Sequence, residues 1–272
     1  MMMNTQVTAQ TNLETLNDEF NESTSLTVWQ FFHKAEDWPN FVSKADINTT
    51  TQGCLHMEPK TGFWYADVHS GPYLYKTLEG DFTVVTKVKA NGKNTAVPKQ
   101  PFSLAGLMVR SPRPYGADKF TKNLENWLFI STGYAKGKHQ PQFETKVTIN
   151  SKSNLKILPA QQDWVEIAIT RIGNDFFMSH KLENGQWQIV RKVTHPNMAD
   201  ALQIGLIAYT DFNGKMKRRW IFSRKKLNTV VYEDGNPDLI ARFEYVRFYR
   251  PKVDAKQYLE NAEVLVNYLS LP

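Results

Sequence analysis

The segment Gly80–Lys89, GDFTVVTKVK, constrains this chain most. It puts Phe82, Val84, Thr86 and Val88 on one side and Thr83, Val85, Lys87 and Lys89 on the other. Period-2 alternation in β-branched residues marks a half-buried strand, because successive side chains leave opposite faces of the backbone. FSLAGLMVRSP follows, with Ala105, Leu107 and Val109 alternating against Gly106, Met108 and Arg110 before a Ser-Pro stop. ENWLFISTGY makes a third run, with Trp127 and Phe129 opposing Leu128 and Ile130. Three strands joined by long polar connections, with no helical period between them, predict antiparallel β structure.

The remainder continues the pattern. FETKVTI and WVEIAITRI alternate, Gly173-Asn174 and Asn184-Gly185 supply hairpin turns, and LQIGLIAYTDF and ARFEYVRFYRP close the strand set. TVWQFFHKAEDWPNFV predicts a first strand and a turn whose aromatics reach the core, with Pro39 breaking any long helix. DAKQYLENAEVLVNYLSLP reads as an amphipathic helix capped by Asp254. The expected organisation is a polar N-terminal tail over 1–26, loosely ordered or a short helical lead-in, one all-β two-sheet antiparallel sandwich over 27–252, and a C-terminal amphipathic helix over 253–272.

The net charge is +6 and the basic run KMKRRWIFSRKK (Lys215–Lys226) is dense. A solvated, twisted hairpin edge is the expectation there, since edge strands carry Lys and Arg against aggregation. The lesser alternative is contact with an anionic surface or nucleic acid. Cys54 is the single cysteine, which excludes an intramolecular disulfide and a thiol-ligated zinc site. The N-terminus lacks a secretory pattern and no apolar run has membrane-spanning length, so the cytoplasm is the default compartment.

The succession FWY, GPYLYK, GDFTVVTKVK, AGLMVR, NWLFISTG, WVEIAITRIGNDF, NGQW, LQIGLIAYTD and ARFEYVRF resembles a concanavalin A-like lectin/glucanase domain. Within that superfamily it resembles a poorly characterised concanavalin-like branch found in bacteria and fungi, itself similar to the C-terminal domain of many β-xylosidases, over about residues 28–250. The resemblance implies a jelly-roll sandwich with one concave sheet that often contacts carbohydrate, and it implies no single activity. The loops before and after AGLMVR are long for such a domain. The carboxylate pattern Glu-x-Asp-x-x-Glu of the superfamily's glucanases is missing, and Glu36-Asp37 and Glu233-Asp234 are adjacent rather than alternating. The six His are scattered, without HxH or HExxH pairs. No cofactor is expected, although a jelly roll is compatible with a structural calcium near Asp81 or Asp211.

Parity then selects candidate residues. If Ala105, Leu107 and Val109 face the core, Arg110 faces out; if Ile204, Leu206 and Ala208 are core, Tyr209 and Asp211 are not. Trp64, His69, Tyr73, Arg110, Trp127, Phe129, Glu144, Tyr209 and Asp211 are the candidate ligand-binding set. Aromatic platforms with directional polar groups suit a carbohydrate or similar polar ligand. The same aromatics would equally make a second small core beneath the long loops, and parity does not decide between the two. Three functions stay open: a non-catalytic glycan-binding module, an enzyme using His69, Glu144, Asp211 or Arg110 in a loop-covered pocket, and an interaction domain presenting the basic run and terminal helix.

Overall fold

The computed structural model describes residues 13–113, 116, 119–161, 163–216, 223–259, 261–269 and 271–272. Its strands are, in chain order, Gln30–Phe31 (β1), Val42–Ile47 (β2), Leu55–Pro59 (β3), Trp64–Tyr65 (β4), Val68–His69 (β5), Tyr73–Glu79 (β6), Phe82–Asn91 (β7) and Ser103–Arg110 (β8). They continue with Trp127–Tyr134 (β9), Gln142–Ile149 (β10), Lys152–Pro159 (β11), Val165–Ile172 (β12), Asp175–Lys181 (β13), Gln188–Thr194 (β14), Ala201–Tyr209 (β15) and Ile240–Tyr249 (β16). Two seven-stranded antiparallel sheets result. The first runs β1-β6-β15-β8-β9-β10-β11 and the second β14-β13-β12-β7-β16-β3-β2, with β4 and β5 forming a separate small ribbon.

Alternation decides what fills the space between the sheets. Ala105, Leu107 and Val109 from β8, Leu128 and Ile130 from β9, and Ile204, Leu206 and Ala208 from β15 meet Phe82, Val84 and Val88 of β7 and Val165, Ile167 and Ile169 of β12. All are nearly or fully buried, so the parity read from the sequence holds strand by strand. The β12–β13 hairpin turns at Gly173, whose φ of +60° lies in the left-handed region that glycine enters without strain.

Three expectations change. From Leu13 onward the polar lead-in is docked and takes the helical alternative, with 3-10 turns at Glu14–Leu16 and Ser23–Val28. Phe20 and Leu13 enter the main core, and Asp18 pairs with Val246 through backbone bonds while its carboxylate accepts the Trp29 indole N–H at 2.9 Å. Residues 1–12 of that tail lie outside the described residues. At both of its described ends the basic run is helical, where a hairpin edge is the expectation. Phe212–Met216 (α2) and Arg224–Thr229 (α3) are short helices, the latter capped by Ser223, whose side chain accepts from Lys226 N. Lys215 is fully buried, and residues 217–222 lie outside the described residues. The aromatics of 27–42 split: Trp29 joins the main core, whereas Phe32, at the start of the helical turn Phe32–Ala35 (α1), and Trp38 pack elsewhere.

The C-terminal helix is present as successive short turns, 3-10 at Val253–Tyr258 and α at Ala262–Leu265. Ala255, Leu265 and Leu269 are buried against Ile172 and Phe177, which places this segment on the outer face of the second sheet. No helix among the described residues is long and apolar enough to cross a membrane.

Candidate functional site

Most of the side chains that β6, β15, β8, β9 and β10 turn away from the main core do not meet solvent; Thr77 and Glu79 at the far end of β6 are exposed. Tyr73, Tyr75, Leu104, Met108, Trp127, Phe129 and Tyr209 pack under Phe32, Trp38, Phe63, Trp64 and Val68, with Phe102, Phe120 and Phe212 adding to the cover. All nine candidate residues lie on this side of the first sheet or in its cover, and none is more than 2% exposed. The aromatics are a second core, not an open platform.

Arg110 shows why this layer holds together. Its Nη1 donates to Glu36 Oε1 at 2.6 Å and to Gln203 Oε1 at 2.8 Å, and its Nη2 to Glu36 Oε2 at 3.1 Å. Nε reaches Glu125 Oε2 at 3.1 Å, Nη2 reaches Glu125 Oε1 at 3.3 Å, and the guanidinium lies 4.8 Å from the Phe32 ring centre. Arg113 adds a 2.7 Å bond to Glu125. Burial works to raise the Glu125 pKa, yet Arg110 above all holds it at about 2. With every guanidinium direction used, Arg110 has nothing left to offer a ligand.

His69 is likewise structural. Its backbone N–H donates to Asn228 Oδ1 at 2.8 Å, which turns the Asn228 amide nitrogen toward Asp67 O at 2.7 Å and His69 Nε2 at 3.0 Å. Nε2 therefore accepts and the proton sits on Nδ1, which has no partner and lies within an aromatic box; the Trp38 ring centre is 4.1 Å from that of His69. Burial pushes the His69 pKa down to about 3. Asp67 accepts from Ser151, Asn123 N and Arg224 and so ties the helix α3 to the sandwich. Asp211 accepts from Thr61 Oγ1 at 2.8 Å, Asn236 N at 2.7 Å and Gly214 N at 3.0 Å. Asp81 accepts from Gly173 N at 2.6 Å. No group of three or more His, Cys, Asp or Glu that could hold a metal ion occurs among the described residues.

Glu144 and Tyr209 do come together, with Trp64 beside them. Tyr209 donates its hydroxyl to Glu144 Oε2 at 3.0 Å, and Glu144 Oε1 stands 2.7 Å from Lys146 Nζ. Lys146 Nζ also donates to Trp64 O at 3.0 Å. Tyr209 and Lys146 border a cavity of about 130 Å³ walled by Phe63, Trp64, Phe102, Leu155 and Phe212, with Tyr65, 45% exposed, among its lining residues. Lys146 is not in the candidate set, although parity alone puts it beside Glu144, two residues along the same strand face.

The outer face of the second sheet is different. There an open groove of about 660 Å³ is lined by Trp164, Glu166, Lys181, Lys87, Glu244 and Tyr245, with Glu19 and Arg247 at one end and Asn184 at another. Its charges are paired: across neighbouring strands Lys181 with Glu166 at 2.5 Å and Lys87 with Glu244 at 2.7 Å, and from β16 to the N-terminal lead-in Arg247 with Glu19 at 2.7 Å. Trp164 is partly exposed, with the Lys87 and Lys89 ammonium groups 5.5 and 6.0 Å from its ring centre. None of these residues belongs to the candidate set. The available signal was a tryptophan abutting an alternating strand that carries Glu166 outward.

The family described as a protein of unknown function (DUF1349) matches residues 38–219. No curated protein matches the chain. Among solved structures, a functionally unknown protein from Saccharomyces cerevisiae superposes with a TM-score of 0.54 at 16% identity, covering 83% of this chain and 98% of that one. A xylan β-1,4-xylosidase from Bacillus halodurans C-125 gives 0.56 at 14% identity, covering 89% and 40%. The GH43 protein BlXynB from Bacillus licheniformis gives 0.56 at 12% identity, covering 86% and 39%. The chain thus spans about two fifths of the length of each of these two Bacillus proteins. At these identities the likeness concerns the fold, and the concanavalin A-like sandwich expected from the resemblance is the fold found.

Proposed function

The chain belongs to the DUF1349 family, and from that premise we propose that it is a non-catalytic ligand-binding module whose ligand, a glycan chain, lies in the Trp164 groove on the outer face of the second sheet. The observation that carries this reading is the pairing of a partly exposed indole with an open polar channel. Sugar recognition needs an apolar plate for the C–H face of a pyranose ring and directional groups for its hydroxyls. Trp164 supplies the first; Glu166, Lys181, Lys87, Glu244 and Asn184 supply the second. A groove of about 660 Å³ accommodates more than one ring. Three of its carboxylates, Glu166, Glu244 and Glu19, are each held by a cation, which favours recognition over general acid chemistry. The xylosidases that share this fold act on a glycan, which is consistent with the ligand class and no more than that.

The experiment is calorimetric titration of a panel of cell-wall oligosaccharides, xylo-oligosaccharides included, into wild type and Trp164→Ala. Binding in wild type weakened about tenfold in the variant is the expected result, since ring stacking contributes on the order of 1 kcal/mol beyond area burial. An oligosaccharide that binds the variant equally well overturns the placement. Silence across the panel overturns the ligand class.

A further inference from the structure

Independently of the groove, we infer that the cavity bordered by Lys146 is a second binding site, built for a small, neutral, ring-sized apolar molecule carrying one hydrogen-bond acceptor, of the aryl or alicyclic carbonyl class.

The inference starts from strand geometry. In QFETKVTI (β10), Phe143 and Val147 face the main core, so Glu144 and Lys146 share the opposite face. The loops that cover that face bury both: Glu144 is fully hidden and Lys146 is 2% exposed. Burying an ammonium ion costs several kcal/mol, and an apolar residue of similar length would fill the space without that cost. Glu144 offsets part of the penalty at 2.7 Å, and burial still leaves the lysine pKa below its ordinary value. Four rings surround the ammonium, with centres 4.9 Å (Phe129), 5.5 Å (Tyr209), 5.8 Å (Tyr65) and 5.9 Å (Phe102) from Nζ.

The hydrogen-bond inventory sets the ligand class. An ammonium group has three protons. Trp64 O takes one and Glu144 faces another, which leaves one without a protein acceptor among the described residues. Glu144, which accepts from Tyr209 at Oε2 and faces Lys146 at Oε1, is not among the lining residues of the cavity, and Trp64 O is engaged by Lys146. Apart from Lys146 the walls are aromatic and aliphatic, so the several hydroxyls of a sugar would be buried there largely without partners, which excludes sugars. Charge excludes anions, because Glu144 already neutralises Lys146. Size follows from volume: the cavity measures about 130 Å³, and an apolar cavity of about 150 Å³ admits benzene.

The test is ligand-observed fluorine NMR with three probes of nearly equal size: para-fluoroacetophenone, para-fluorotoluene and para-fluorobenzoate. In wild type the ketone should show saturable broadening, bind about tenfold or more tightly than the toluene, as a hydrogen bond to a charged donor implies, and leave the benzoate unbroadened. Leu155→Trp, which fills the cavity from a half-buried wall position opposite Lys146 and leaves both residues of the ion pair unsubstituted, should abolish ketone binding. The double variant Glu144→Gln with Lys146→Met removes both charges together, so neither is stranded, and should bind ketone and toluene alike. Absence of ketone binding to wild type, undiminished binding to Leu155→Trp, or ketone selectivity that survives the double variant overturns the proposal. None of these outcomes depends on the Trp164 groove.

Discussion

The two outer faces of this sandwich are built by the same rule and end differently. On the first sheet, Met108, Arg110, Trp127, Phe129 and Tyr209 point away from the main core and are buried under loops and short helices. On the second sheet, Lys87, Glu166, Lys181 and Tyr245 point away in the same manner. There the C-terminal turns cover Ile172 and Phe177 but leave the Trp164 groove open. Strand alternation sets which side chains face outward; the connections decide whether outward means solvent. An aromatic-rich sheet face is thus a binding platform only where nothing else has claimed it.

That contrast is open to attack, most forcefully at Arg110. Arg110→Ala strands Glu36 and Glu125 without their cation inside the cover, and breaking a buried ion network in this way costs about 3–5 kcal/mol. Urea unfolding should show that loss, whereas a functional ligand residue on an open face would leave the midpoint in place. His69 comes next. Its folded pKa of about 3 lies below its ordinary 6.5, so the neutral ring stabilises the fold above pH 6.5 and that contribution is lost as pH falls toward 3. Wild type should lose on the order of 3 kcal/mol relative to His69→Gln between pH 7 and pH 4. Equal acid profiles would show that the box is wet.

Lys215 carries a smaller effect of opposite kind. It donates to Val230 O at 2.8 Å, lies 4.5 Å from the Phe41 and Tyr232 ring centres, and has its pKa pushed down to about 7 by burial. A depressed lysine stabilises the fold fully above pH 10.5, and that contribution is lost as pH falls toward 7. Lys215→Met should therefore be more stable than wild type by about 1–3 kcal/mol at pH 7, and the advantage should shrink in thermal melts as pH rises to 10. Smallest of all, Trp164→Ala should move stability by no more than about 0.5 kcal/mol, since the ring stands on the open side; a larger shift would place Trp164 in a core and erase the contrast.

Much of the sandwich was legible because its signal is local. Ala105, Leu107, Val109 and Ile204, Leu206, Ala208 each state their side within one strand, and pairing of β8 with β15 confirms both. The site was less legible because its determinants are remote. Arg110 reads as an outward cation, while its partners Glu36 and Gln203 lie 74 and 93 residues away in loop and strand. No period in the connecting segments announces that they fold back. The run at Lys215–Lys226 misled for a related reason. Charge density suggests solvent, which Arg224, Lys225 and Lys226 do meet, yet Lys215 is enclosed by Phe41 and Tyr232, and Arg224 also pairs with Asp67. Trp164 was overlooked because adjacency to a strand carries no sign of whether a ring is covered.

The Arg110 network also has a consequence for the order of assembly. It joins Glu36, Glu125 and Gln203 to one guanidinium, and those groups reach bonding distance only when β8 and β15 are in register and the flanking loops have closed over them. Closing such long loops is entropically unfavourable until the sheets exist to receive them. The cover is therefore a late event in folding and an early one in unfolding, and its interactions act mainly on how long the native state lasts rather than on how fast it forms.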